Sequence, residues 1–251
     1  MTRVQSPIVL IHGLFGHLKD PRILKAFGAS PVFAPDLLGY GMQTQANIGE
    51  LTLQQQADHV AGFIREHHLG KVHLVGHSVG GAIAVLLSDS HPHLVASLTS
   101  VEGNFTLNDA FWSRQIAEKN QSDVDSVIAG YMAYPEAWLA GAGVPLTEWT
   151  LSLARSWLNN QPASTIKMQA RAVVAATQTP DYLETVRRLL KSGLPFHLIS
   201  GERSRKEWDV PPWVVAQASS HCEIPATGHL MMAENPAAFG AAVMKNLPQV
   251  Q

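Results

Sequence analysis

Short unbroken apolar runs alternate with longer amphipathic stretches through the first hundred residues. Ser6–Ile11 (SPIVLI) reads as a buried strand ending at His12-Gly13, and Ser30–Ala34 (SPVFA) as a second ending at Pro35-Asp36. Ala57, Val60, Ala61 and Ile64 recur at helical spacing, which predicts a helix over Thr52–His68 that Gly70 terminates. Lys71–Val75 (KVHLV) is the third strand, Val79–Ser90 a helix rich in Ala, Leu and Val, and Leu94–Val101 (LVASLTSV) a fourth strand. The strand runs are apolar throughout rather than alternating, as a strand covered on both faces requires. Strand and helix in this alternation predict an α/β fold: a mostly parallel central sheet, helices on both faces, right-handed crossovers.

The rhythm then breaks. From about 104 to 179 there are helical segments and turns without a strand-like run, and four of the six tryptophans fall here: Trp112, Trp138, Trp149 and Trp157. Trp149, Leu153 and Trp157 form one stripe on one helix, either packed onto the core or lining a substrate pocket from above. Beyond it the α/β rhythm returns. Thr179-Pro180 opens a helix through Lys191, Phe196–Ser200 is a strand, Pro211–Ala218 a short helix and His221–Ile224 a last strand. Asn235-Pro236 opens the final helix, Ala237–Asn246. The expected division is an α/β core over 1–103 and 180–251, with a helical cap inserted over 104–179.

Composition narrows the function classes. With 46% apolar and 15% charged residues and a net charge of −2, the chain has no basic or acidic block to meet nucleic acid or an anionic membrane. One cysteine, Cys222, permits neither an internal disulfide nor a multi-cysteine metal site, and the twelve histidines show no metal-binding spacing. No leader-like or membrane-spanning run is evident, so the expected setting is cytoplasmic and the expected partner a small molecule.

The strongest chemical signal is Gly76-His77-Ser78-Val79-Gly80, a G-x-S-x-G placed where a predicted strand gives way to a predicted helix. A serine on such a turn is exposed at the sheet's edge, and the helix start behind it favours developing negative charge. Three more segments accompany it: His12-Gly13-Leu14-Phe15-Gly16, Asp36-Leu37-Leu38-Gly39-Tyr40-Gly41, and Gly228-His229 followed by Glu234-Asn235-Pro236. On these segments the chain resembles the α/β-hydrolase superfamily over nearly its whole length, with the leading strands reduced. The resemblance implies Ser78 as nucleophile, His229 as general base and then acid, and the backbone N–H groups of Val79 and Leu14 as oxyanion donors. Asp36 is read as structuring its loop, and Glu234 as favouring the start of a helix.

The acid departs from the usual pattern. Its expected place, three residues after Gly201, holds Ser204, and a hydroxyl cannot stabilise an imidazolium as a carboxylate does. Glu102 ends the fourth strand, and a carboxylate there is costly unless partnered, which His229 would supply. Glu102 is the predicted acid, with Asp209 and Glu202 as alternatives. Phe15, Trp138 and Trp149 are the aromatic side chains expected at the substrate.

A serine nucleophile implies acyl chemistry through an acyl-Ser78 intermediate, with no metal or cofactor required. The expected activity is hydrolysis of a small carboxylic ester, thioester or lactone with an apolar portion. Acyl transfer, aminopeptidase action and carbon–carbon bond hydrolysis use the same groups, and a non-enzymatic ligand receptor is the reading from another class.

Overall fold

The computed structural model describes residues 6–46 and 49–247; Met1–Gln5, the start of the segment read for a leader, lie outside them. Among the described residues, six parallel strands, β1 (Ile8–Ile11), β2 (Val32–Phe33), β3 (Val72–His77), β4 (Val95–Val101), β5 (Phe196–Gly201) and β6 (Ser220–Ile224), form one sheet in the order β2-β1-β3-β4-β5-β6. Among them run α1 (Pro21–Lys25), α2 (Leu53–Glu66), α3 (Val79–Ser90), α9 (Pro180–Lys191), α10 (Pro212–Gln217), α11 (Met231–Glu234) and α12 (Pro236–Lys245). Between β4 and α9 lie α4 (Phe111–Glu118), α5 (Gln121–Ala133), α6 (Pro135–Gly141), α7 (Glu148–Leu158) and α8 (Ala163–Thr177).

Burial on both faces explains the unbroken apolar strands. Val9 and Ile11 pack with Val60 and Ile64 of α2 and Ile83 of α3, while Ile8 and Leu10 pack with Ile23 of α1 and Phe239 of α12. Alternate side chains of one strand thus enter two separate cores, so each position must be apolar. At 0% exposure for all four residues of β1, no polar residue is tolerated there without a partner. Among the described residues, no helix is long and apolar enough to cross a membrane.

Three elements differ from the sequence reading. β2 pairs over only Val32 and Phe33, because Pro31 has no N–H to give the ladder and Pro35 ends the run. β3 continues through Gly76 and His77, which pair with Ser100 and Val101 of β4, so the chain turns at Ser78 itself. α1 carries a start signal in Asp20-Pro21, where the Asp20 carboxylate accepts the Arg22 N–H. Five helical residues are too few to show as a periodic pattern.

Candidate active site

The chain leaves β3 at Ser78 with φ 54° and ψ −123°, a conformation that L-residues avoid and that costs on the order of 1–3 kcal/mol. The surroundings enforce it. A Cβ on Gly76 would lie 2.3 Å from the Gly80 carbonyl oxygen, and one on Gly80 would lie 2.2 Å from that of Ile11. Only glycine lets β3, the turn and the first turn of α3 approach so closely. The Ser78 N–H donates to the Val101 carbonyl at 3.0 Å, fixing the turn to the end of β4.

Glu102, the residue after β4, is also left-handed, with φ 41°. Its side chain is buried, and both carboxylate oxygens are engaged. Oε2 accepts from His229 Nδ1 at 2.7 Å, and Oε1 accepts from the Gly201 N–H at 2.8 Å and Ser204 Oγ at 2.5 Å. Burial pushes this carboxyl up, but the bonds from His229, Ser204 and Gly201 outweigh it and hold Glu102 below its ordinary value. A carboxylate accepting from Nδ1 leaves His229 Nε2 bare and able to take a proton. Among the described residues, Ser78 Oγ and His229 Nε2 have no hydrogen-bond partner, and both residues line the same cavity.

The loop carrying His229 is held from several sides. His77 Nε2 donates to the His229 carbonyl at 2.9 Å, and Glu202 accepts the Ala226 N–H at 2.7 Å. Glu234 accepts the Gly228 N–H at 2.8 Å and pairs with Arg203 at 2.6 Å. Arg203 also donates to the carbonyls of Ala226 (2.6 Å) and Gly143 (2.9 Å). Glu234 therefore holds the histidine loop rather than merely favouring a helix start.

Two further histidines flank the serine. His12 Nδ1 donates to the Gly13 carbonyl at 2.9 Å while its Nε2 accepts the Leu37 N–H at 3.4 Å, a pattern only a neutral ring satisfies. Burial pushes His12 down to about 4; burial, then the neighbouring His229, push His77 down to about 3. Unfolding releases both rings to titrate near their ordinary 6.5. The unfolded chain then binds more protons than the folded one below that value, so their contribution is complete above it and lost as pH falls. The melting temperature should drop steeply between pH 6.5 and 4, and His12→Gln should flatten that slope. An unchanged slope in a folded His12→Gln protein would remove His12 from the account.

The cavity beside these groups measures about 400 Å³. Phe15, Trp112, Trp138, Trp157, Trp208 and Met232 line it. Phe15 sits edge-on to Trp112 and Trp138, each with ring centroids 5.9 Å away. Leu14 lines it too, and Gly13 lies against the serine, its virtual Cβ 3.0 Å from Ser78 Cβ. Among the described residues, no group of three or more His, Cys, Asp or Glu side chains is placed to hold a metal.

The structure brings Ser78, His229, Glu102, Leu14, Phe15 and Trp138 to this cavity, with Val79 as the first residue of α3 behind the serine. Trp149 lies elsewhere. Its Nε1 donates to Asp20 at 3.3 Å and Arg22 stacks over its ring at 5.0 Å. Trp157, two turns on along α7, faces the cavity instead. Neither alternative acid reaches His229: Glu202 holds Ala226, and Asp209 accepts from Thr106 (2.6 Å) and Asn108 (2.9 Å). Asp36 ties down its own loop, accepting from Lys19 at 2.7 Å and the Met42 N–H at 3.0 Å. Sequence reasoning set Ser204 aside as no substitute for the acid and did not single out Arg203; the first donates to Glu102 and the second pairs with Glu234.

Comparison with known proteins adds a family. The profile of the Alpha/beta hydrolase family matches residues 8–242. The 2-succinyl-6-hydroxy-2,4-cyclohexadiene-1-carboxylate synthase of Enterobacter sp. (strain 638) is 27% identical, over 98% of this chain and 95% of its own length. A probable alcohol acetyltransferase of Wickerhamomyces anomalus is 30% identical over 102 residues, 39% of this chain and only 29% of that relative. Among solved structures, an esterase from Exiguobacterium antarcticum superposes with a TM-score of 0.73 at 16% identity, covering 96% of this chain and 91% of that one.

Proposed function

The chain belongs to the alpha/beta hydrolase family, and we propose that it is a serine hydrolase acting on a small carboxylic ester with an apolar portion. The observation that carries this reading is the 2.7 Å bond from His229 Nδ1 to Glu102, which leaves Nε2 bare in the cavity that the strained Ser78 also lines.

In this mechanism Nε2 takes the Ser78 proton as Oγ attacks the ester carbonyl, and Glu102 stabilises the imidazolium. The backbone N–H groups of Val79 and Leu14 receive the oxyanion, each contributing on the order of 3 kcal/mol at the transition state. The alcohol leaves with the proton from His229. Water, deprotonated by the same nitrogen, then releases the acid and restores Ser78. These steps call for no metal or cofactor.

The aromatic walls favour an apolar acyl or alcohol portion. The Enterobacter relative is named for a carboxylate product. Here the guanidinium at the cavity wall, Arg203, is already committed to Glu234 and to the carbonyls of Ala226 and Gly143, which favours an uncharged ester. Residues 104–179 serve as a cap over this site, with α6 and α7 supplying Trp138 and Trp157. A second reading, transfer of the acyl group to an alcohol in place of water, draws on the likeness to the yeast acetyltransferase.

Hydrolysis of p-nitrophenyl esters from acetate to decanoate tests the proposal. Each methylene that enters the cavity adds about 0.8 kcal/mol, roughly fourfold in kcat/KM, until the space is full and rates fall. A fluorophosphonate should form one adduct, mapped to Ser78. A rate that ignores chain length, or an adduct elsewhere, would overturn the assignment.

A further inference from the structure

We infer that His77 is a positioning residue that sets the distance between the serine and the histidine of the reaction proposed above, on which this inference rests. Glu102 holds the His229 ring by one nitrogen, which leaves the main chain beneath that ring to be fixed separately. His77 supplies that second point. It is the last residue of β3, directly before Ser78, so its backbone moves with the serine. Its Nε2–H donates to the His229 carbonyl at 2.9 Å across 152 positions of sequence. Its ring lies 4.6 Å from the His229 ring, tilted by 43°.

The other side of the ring is confined as well. A Cβ on Gly13 would stand 3.2 Å from His77 Nδ1 and 3.0 Å from Ser78 Cβ, so the His12–Leu14 loop closes the space behind the imidazole. His77 therefore stands between the loop proposed to bind the oxyanion and the loop that carries the base. The bond to a carbonyl requires a proton on Nε2, and the neutral ring meets that need without placing a second cation beside a His229 that becomes charged in turnover. The residue between Gly76 and Ser78 is thus neither filler nor a proton-transfer group. It ties nucleophile and base into one rigid unit.

The test compares His77→Leu, which keeps an apolar filler and loses the donor, with His77→Gln, whose amide Nε2 offers an N–H at similar reach. Misplacing a reacting group by an ångström costs about 10²-fold, so His77→Leu should lower kcat by roughly 10- to 100-fold with KM within about twofold of wild type. His77→Gln should restore kcat to within a fewfold. A parallel readout needs no substrate: the downfield proton resonance of His229 Nδ1–H should stay sharp in wild type and His77→Gln and broaden in His77→Leu. Wild-type kcat in folded His77→Leu would overturn the inference. So would a His77→Gln protein that melts like wild type yet has a broadened His229 resonance, a result that decides the matter even if His77→Leu does not fold. If wild type hydrolyses no ester, the proposed function fails while the resonance still tests the hold on His229.

Discussion

Replacing Ser78 with alanine should lower kcat/KM for the best p-nitrophenyl ester by about 10⁵- to 10⁶-fold, the loss seen when a nucleophile that works as a unit with its base is removed. The fold should survive intact. Ser78 Oγ has no hydrogen-bond partner among the described residues, and the turn is held by backbone, through the Ser78 N–H to Val101 and the Gly81 N–H to the Ser78 carbonyl at 2.8 Å. Alanine at 78 bears the same left-handed strain as serine, so melting temperatures should agree within a few degrees. A small rate above that of free solution should persist, because the oxyanion donors are backbone groups the substitution does not touch. Full activity in this variant would mean that water, not Ser78, attacks the substrate.

Glu102→Gln carries the second largest effect, a fall in kcat of roughly 10³- to 10⁴-fold. The mechanism of the loss follows from the carboxylate's partners. Gly201 N–H and Ser204 O–H both donate to Oε1, so an amide in this site must turn its oxygen towards them. Its NH2 then faces His229 Nδ1, a donor against a donor. The imidazole escapes by moving its proton to Nε2, the tautomer that cannot accept from serine. Asp209→Asn and Glu202→Gln should stay within a fewfold of wild type, since each carboxylate is bonded elsewhere. Activity that survives Glu102→Gln and vanishes with Asp209→Asn would refute the choice of acid. The stability effect has a definite sign. The folded pKa of Glu102 is depressed, so its contribution is present above the unfolded value and lost as pH falls through the folded one. Glutamine removes that part of the acid sensitivity.

Local chemistry was legible and long-range placement was not. The run from Val72 to Gly80 announces strand, turn and helix within nine neighbours, because each residue's constraint comes from the next few. The pairing of Glu102 with His229 could be anticipated because an acid at the end of an apolar strand needs a partner. The bond from Ser204 to Glu102 could not, since a serine at the usual acid position says nothing of a carboxylate 102 positions earlier. The stripe Trp149, Leu153, Trp157 gave the buried face of α7 but not which end meets the cavity. Helical periodicity fixes an angle around the axis and carries no information along it. β2 was read too long for the converse reason: Ser30, Pro31 and Ala34 look extended, but a strand exists only where a neighbour's amides meet it.

The contacts that complete the site also order its appearance during synthesis. β1 to β4 lie side by side and are all present once residue 101 has been made. The partners around Ser78 come later. Gln161 reaches back 145 positions to the Gly16 N–H in the loop beside Leu14, Ser204 reaches back 102 to Glu102, and His229 reaches back 127 to the same carboxylate. Contacts so distant in sequence close slowly and last. A chain made as far as residue 101 therefore has the sequence of four of the six strands and of the serine turn, but neither Glu102 nor His229. On the proposed mechanism, a chain that lacks the final strand and its loop has no base for Ser78 and should be unreactive towards esters.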